Sequence, residues 1–429
     1  MQARRSNQQG RALAEESLAL ILAGGHGTRL KNLTRWHAKP AVPFGGQFRT
    51  IDFALSNCLH SGLKRIGILT QYKSYSLNCH IQRGWNFLNN GMGDFVDLLP
   101  AQQRLGDGWY QGTADAVYQN LDIIEEYAPT YVVILAGDHV YKMDYGDLLL
   151  HHQSSGAPMT VACIEVDVQA AQGFGVMAID WNNRVFAFDE KPRDPRTLPG
   201  KPERALASMG IYVFNTAFLI EQLRQDANDP VSSHDFGKDI IPSLIDQWPV
   251  NAYPFVSKKG EPAYWRDVGT LDQFWQANME LLGDCPAMDL FDRHWPIWTA
   301  QEQLPPSRFV FNSERGSHGQ ATNSVVGNGC LIDGATVENS IIFNDVTINA
   351  GARVSDSLIL PGAYIGSDCH LSRVIVDQRC VIPRGTVIGE DAVKDALQYT
   401  LSPGGIVLVS SSDCGLPVVE NRYRVPAVV

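Results

Sequence analysis

The amino-acid sequence predicts an α/β domain built on a mostly parallel sheet, followed by a parallel β-helix. Two periodicities predict it. Short, continuously apolar runs at Leu18–Leu22, Leu63–Thr70 and Tyr131–Gly137 read as strands buried on both faces, and Ala114–Glu126 between them has helical spacing. Further on, aliphatic residues fall at Val326, Ile332, Val337, Ile342, Ile348, Val354, Ile359, Ile365, Leu371, Val376, Ile382 and Ile388, every step being five or six residues. Val337, Val354, Leu371 and Ile388 are 17 apart, which gives three short strands per coil, each with one inward aliphatic residue.

In chain order, residues 1–16 are polar and charged and read as a flexible leader, with no apolar core of a signal peptide. Residues 17–295 carry the α/β alternation, including further strand-like runs at Thr160–Val166, Val176–Ile179, Val185–Phe188 and Ala207–Phe214. The stretch around Pro286, Pro296, Pro305 and Pro306 reads as a connection, with 296–316 as linker, and 317–429 as the β-helix with a tail. A chain of 429 residues exceeds one ordinary core, which agrees with two domains. A net charge of −11 without a sustained Lys/Arg run excludes a nucleic-acid partner. Leu18–Ala23 is too short to span a bilayer, and eight scattered cysteines without a CxxC pair suit reduced thiols in a cytoplasm.

The first strand runs into Ala23-Gly24-Gly25-His26-Gly27-Thr28-Arg29, where missing Cβ atoms let backbone N–H groups approach phosphate oxygens. It is neither a P-loop, because Arg29 stands where a Gly-Lys pair is needed, nor a G-x-G-x-x-G turn. Asp138, ending the strand in Ala136-Gly137-Asp138-His139, is placed to hold a hard divalent ion at the carboxyl end of the sheet, with Asp267 of Trp265-Arg266-Asp267 as a second acid. Each also has a plain reading as a turn or capping residue. Lys191 in Glu190-Lys191-Pro192 and Lys39 in Ala38-Lys39-Pro40-Ala41 are compact cations suited to phosphate, or ordinary loop lysines. Gly112 and Thr113 stand at a helix start, whose free N–H groups favour an anion or polar group. Gln102 and Gln103 have amides suited to a base edge. His318 and His370 are read as structural, since the unbroken repeat leaves no inserted loop for the acceptor pocket of a β-helix acyltransferase.

Taken in order, these motifs resemble the sugar-1-phosphate nucleotidylyltransferases. Ile51–Cys58 (IDFALSNC), Phe95–Arg104 (FVDLLPAQQR), Ser208–Phe214 (SMGIYVF) and Ser233–Ile241 (SHDFGKDII) narrow the resemblance to bacterial glucose-1-phosphate adenylyltransferases, over roughly residues 17–409. The resemblance implies a Rossmann-like catalytic domain and a left-handed β-helix of hexapeptide-type repeats. It implies a cytoplasmic, allosteric homotetramer that forms ADP-glucose and pyrophosphate from ATP and glucose 1-phosphate for glycogen biosynthesis, with Mg2+. By resemblance Arg29, Lys39 and Asp138 are catalytic, and Leu22, Ala23, Gly24, Gly25, Gly27, Thr28, Gln103 and Gly112 hold the nucleotide. Tyr110, Gly175, Glu190, Lys191 and Ser208 hold the sugar phosphate and product, and Asp138 and Asp267 the metal. His37, Arg49 and Arg379 are candidate effector contacts. The same chemistry on another nucleotide or sugar is the alternative, as is a non-catalytic regulatory subunit, although such subunits tend to lose the motif cations and acids present here.

The departures from the resemblance concern regulation. Relatives activated by fructose 1,6-bisphosphate carry a Lys-Arg pair in the two places before Ala-Lys-Pro-Ala, where this chain has Trp36-His37, and the tail after Val409 holds only Arg422 and Arg424 as cations. Replacing a cation by an indole removes a phosphate partner worth about 1 kcal/mol or more. A weak or altered response to fructose 1,6-bisphosphate is therefore expected in a turnover assay. Strong activation at micromolar effector would instead show that Arg35, Arg49 or Arg379 has taken over.

Overall fold

The computed structural model describes residues 2–25, 27–88, 93–102, 108–257 and 259–413, with side chains from residue 8 onward. Gln103, His26 and the tail beyond 413 lie outside the described residues.

The first domain is organised on a nine-stranded sheet. Strand Ser17–Leu22 lies between Arg65–Thr70 and Tyr131–Ala136, and Phe95–Pro100 extends the edge; these four are parallel. The other five strands join through the long Arg204–Asn215, which is antiparallel to Tyr131–Ala136, Met159–Asp167 and Gly175–Ile179. Val250–Pro254 follows Met159–Asp167 in parallel, and Val185–Glu190 runs against Gly175–Ile179. Seven strands therefore share one direction, and only Arg204–Asn215 and Val185–Glu190 oppose it. The apolar runs are continuous because both faces are covered. Ala19 and Ile21 pack toward helices Thr50–Ser61 and Tyr145–Ser155, while Leu18 and Leu20 pack toward helices Thr113–Tyr118, Leu121–Tyr127 and Thr216–Ala227.

In the second domain the aliphatic period becomes three parallel sheets. Ile332, Ile348, Ile365 and Ile382 stack in register in one, and Val337, Val354, Leu371 and Ile388 in the next. Ile342, Ile359, Val376 and Val409 form the third column. Their side chains fill the interior of the coil. The outward residues of this third sheet, Ile341, Leu358, Ile375 and Leu408, are buried against Phe44, Phe48, Phe53 and Phe274 of the first domain. That face of the β-helix is thus part of the first domain's core.

Two expectations about boundaries need correction. The segment expected as a flexible leader forms helix Gln2–Glu15, which docks on helix Tyr145–Ser155 and buries Leu13 and Ala14. Composition missed it because the contact is made through small residues: Gly10 lies against the backbone of Gly146. The linker expected over 296–316 already contains the first β-helix strand, Arg308–Asn312, paired with Leu331–Asp333. Phe309 stands in the isoleucine column opposite Ile332 and Ala321 opposite Val337, so the aliphatic count, which begins at Val326, misses the first two strands of that coil. At the other end the repeat does not stop at Ile388. Helix Ala392–Gln398, capped by the Asp391 carboxylate on the Val393 and Lys394 amides, interrupts it before Val407–Val409 returns to the sheet.

A Cβ on Gly10 would lie 2.9 Å from the Gly146 backbone. Gly10→Val is expected to destabilise the domain by about 1–3 kcal/mol in urea unfolding. An unchanged midpoint would mean that the N-terminal helix contributes nothing to the fold.

Candidate active site

The loops that leave the parallel strands converge at one edge of the sheet. The Ala23 amide donates to the Leu69 carbonyl at 2.9 Å and the Gly137 amide to the Leu22 carbonyl at 3.1 Å, so the glycine loop and the Asp138 loop emerge side by side. A Cβ on Gly25 would meet nothing within 4 Å, which leaves that side of the loop open. Gly27 has φ of 64°, and its carbonyl accepts from the Leu30 amide at 3.1 Å and the Thr34 hydroxyl at 2.7 Å. This turns the chain so that a short 3-10 turn begins at Thr28 and Arg29 extends over the crevice, its side chain 57% exposed.

Asp138 and Asp267 are joined by a two-stranded ribbon. Trp265–Asp267 runs antiparallel to His139–Tyr141, with Asp267 opposite His139, the residue next to Asp138. The Lys39 ammonium sits between the acids, 2.8 Å from the Asp138 carboxylate and 2.6 Å from that of Asp267. Lys39 comes from a buried turn, Lys39–Ala41, whose carbonyls are held from outside: Thr50 Oγ1 donates to the Lys39 carbonyl at 3.0 Å and the Arg49 guanidinium to that of Ala41. Burial favours loss of the Lys39 proton, but the two carboxylates outweigh it and hold its pKa above the ordinary value. Burial likewise raises Asp138, and the opposing charge of Lys39, helped by His139, brings its pKa well below the usual carboxylate range.

Sequence reasoning assigned no role to His139, although it stands in the quoted motif. Its Nε2 lies 3.6 Å from Asp138 and 3.9 Å from Asp267, and its ring packs edge-on against Trp265 at 5.0 Å. Among the described residues, His139 Nδ1 and Trp265 Nε1 are buried without hydrogen-bond partners. Asp138, His139 and Asp267 each offer a ligand atom within 4.8 Å of the others. Two carboxylate donors beside an open loop fit a hard divalent ion that completes its shell with water and substrate oxygens. The ion and the Lys39 ammonium would draw on the same carboxylate oxygens.

The residues expected on the sugar phosphate lie along the opposite wall. Gly175 and Glu190 are register partners, and a Cβ on Gly175 would come within 2.9 Å of the Glu190 carboxylate. Lys191 adopts φ of 50°, an uncommon backbone for a non-glycine residue, and its exposed ammonium rests on Glu190 at 2.6 Å. Ser208 is buried at a bulge in Arg204–Asn215, where its hydroxyl accepts from the Gly210 amide at 3.2 Å and Gly210 abuts Ala136 and His139. Tyr110 accepts on its hydroxyl from Asn120 at 2.9 Å and on its carbonyl from Gln71 at 3.3 Å.

Gly112 differs from expectation. The amides at its helix start are not free for an anion: those of Ala114 and Asp115 donate to the His234 carbonyl at 2.8 and 3.3 Å. The approach that requires glycine there is by protein backbone, since a Cβ would fall 2.2 Å from that same oxygen.

The candidate effector residues occupy separate settings. His37 Nδ1 lies 2.9 Å from the Ser76 hydroxyl, and the Arg49 backbone amide donates to Asp52 at 2.8 Å while burial draws its guanidinium pKa down. Arg379 lies on a β-helix turn against Gly362. Among the described residues, no helix is long and apolar enough to cross a membrane.

Two family models match the chain. One described as nucleotidyl transferase covers residues 18–283, and one described as GlmU-like, C-terminal hexapeptide covers 305–409, the latter agreeing with a left-handed coil. A glucose-1-phosphate adenylyltransferase 2 of Alkalilimnicola ehrlichii is 56% identical over 96% of this chain and 97% of its own. Glucose-1-phosphate adenylyltransferases of Methylococcus capsulatus and Nitrosococcus oceani are 55% and 54% identical, over 94% and 96% of this chain and 95% and 96% of theirs. With both halves matched and the likeness running nearly end to end, the chain belongs to the glucose-1-phosphate adenylyltransferase family.

Proposed function

We propose that this protein transfers the adenylyl group of ATP to α-D-glucose 1-phosphate, giving ADP-glucose and pyrophosphate with Mg2+ as cofactor, and so performs the first committed step of glycogen biosynthesis. The observation that carries the reading is the Lys39 ammonium held between Asp138 and Asp267 below an open glycine loop. In this reading the backbone of Leu22–Thr28 and the Arg29 fork hold the triphosphate, and Gln103, which lies outside the described residues, and Gly112 are the residues taken for the adenine. Lys191, Glu190, Gly175, Ser208 and Tyr110 hold the sugar phosphate and product. A phosphate oxygen of glucose 1-phosphate attacks the α-phosphorus in line, a new P–O bond forms, and the bond to the bridging oxygen breaks to release pyrophosphate. No general base is needed, because the nucleophile is already anionic near neutral pH. Arg29 and Lys39 orient the phosphates and take up charge as it moves to the leaving group. Bound Mg2+, on Asp138 and Asp267, supplies further charge neutralisation at the phosphate oxygens.

The same reading makes the enzyme a cytoplasmic homotetramer under effector control. The Arg49 bond to the Ala41 carbonyl supports a link from a candidate effector residue to the turn that carries Lys39.

Pyrophosphate release should occur with ATP, glucose 1-phosphate and Mg2+, and fall away when UTP, GTP or dTTP replaces ATP. Turnover with another nucleotide would move the assignment to sister chemistry, and silence in every lane from folded protein would favour a regulatory subunit. Asp138→Ala should lose about a hundredfold to a thousandfold in kcat; near-normal turnover would remove Asp138 from the mechanism. Lys39→Met should destabilise the metal-free protein by about 3 kcal/mol, because two carboxylates lose their buried counter-charge. It should also bind Mn2+ more tightly than wild type in calorimetric titration, and equal or weaker binding would show that ammonium and metal do not compete.

A further inference from the structure

The two walls of the site are in direct contact through Thr113. Its hydroxyl accepts from the Phe236 amide at 3.0 Å and donates to the Asp235 carboxylate at 3.1 Å. The other Asp235 oxygen accepts from the Gly237 and Lys238 amides at 2.9 and 3.1 Å, so the residue that caps the next helical turn is also the one Thr113 holds. Gly237 then abuts the sugar-phosphate wall: a Cβ there would lie 2.7 Å from the Glu190 carboxylate, whose other oxygen carries Lys191. Gln71 donates to the Tyr110 carbonyl three residues before Thr113, and a Cβ on Gly24 of the glycine loop would lie 3.4 Å from the Gln71 Cβ. Gln71 and Tyr110 thus lead to the segment that carries Thr113, and from Thr113 the contacts continue through Asp235 and Gly237 to Glu190 and Lys191.

The middle of this chain is backbone that needs holding. His234 adopts φ of 55°, an uncommon backbone for a non-glycine residue. Its carbonyl is taken by the Ala114 and Asp115 amides and its ring by Asp226 at 2.8 Å. Lys191, at the far end, also has a left-handed backbone. The two left-handed residues thus stand at the middle and at the far end of the same run of contacts.

We propose that Thr113 is a positioning residue that couples the nucleotide side of the site to the sugar-phosphate side, so that binding of either substrate orders the site for the other. This rests on the function proposed above, since it takes both substrates from it. By linkage the coupling is reciprocal: the factor by which nucleotide tightens sugar phosphate equals the factor by which sugar phosphate tightens nucleotide.

The test is the equilibrium affinity for glucose 1-phosphate with Mg2+, measured alone and with saturating α,β-methylene-ATP, whose α–β bridge cannot be cleaved. In wild type the analogue should tighten glucose 1-phosphate by about tenfold. In Thr113→Val, which keeps the shape and removes both hydroxyl bonds, the ratio should fall to about one while each ligand alone binds within about threefold of wild type. Thr113→Ser, which keeps the hydroxyl, should restore the ratio. A Thr113→Val protein that keeps the tenfold ratio, or loses both affinities with the ratio unchanged, would overturn the proposal. If Thr113→Val does not fold, Asp235→Asn is read by the same criteria, because an amide nitrogen facing Thr113 cannot accept its proton. Binding of both ligands to wild type with a ratio near one would overturn the coupling alone. Failure of wild type to bind either ligand would overturn the proposed function and the coupling with it.

Discussion

The Lys39 ammonium between Asp138 and Asp267 is the interaction on which the rest of the site depends. Two carboxylates at the end of a buried sheet repel one another and lose solvation, so an unpartnered pair would be costly to hold together. The lysine offsets that cost. It does so from a turn that cannot retreat, since Thr50 and Arg49 bind that turn's carbonyls and the turn itself is buried. The helix that begins at Thr50 presents Phe53 to Phe44, with ring centroids 5.4 Å apart, and Phe44 meets Phe274 at 6.5 Å. These rings lie in the same cluster as Ile341, Leu358 and Ile375, so the β-helix buttresses the layer behind the catalytic turn. Val42, next to the turn that carries Lys39, belongs to the same cluster.

Much of this was legible in the sequence, and what was not has physical reasons. The β-helix was legible because one aliphatic residue per strand must point inward in every coil, and a repeated constraint leaves a repeated letter. The parallel strands were legible because burial on both faces demands continuous apolar runs. Asp138 could be placed from its position at the end of such a run. Asp267 could not be joined to it by spacing, because the ribbon that pairs it with His139 is a long-range contact of only three residues on each side. The N-terminal helix escaped notice because it packs through Gly10 against Gly146, and close backbone approach leaves no hydrophobic stripe to count. Gly112 was read as an anion seat because free amides are the default at a helix start. Here the His234 carbonyl, more than a hundred residues away in the chain, has already taken them. His139 carried a signal only in its adjacency to Asp138, and a lone histidine is too common for that to weigh.

The protein is acidic overall and yet is built to receive phosphates, so the work falls to individual cations. Each cation assigned to a phosphate is already paired with a carboxylate: Arg29 with Asp267 at 3.7 Å, Lys39 with Asp138 and Asp267, and Lys191 with Glu190. The pairs differ in how readily they open. Arg29 and Lys191 are more than half exposed, and exposed pairs are worth only about 0–1 kcal/mol, so an arriving phosphate exchanges with the carboxylate at little cost. Lys39 is buried, and parting it from both acids leaves charges that need replacement partners. In the function proposed above, the outer cations would be free to capture, while the inner one would part from both acids only with a divalent ion on the carboxylates and a phosphate on the ammonium to restore the balance. On that reading a rearrangement around Lys39 would need both metal and substrate, because either one alone leaves a buried charge without its partner.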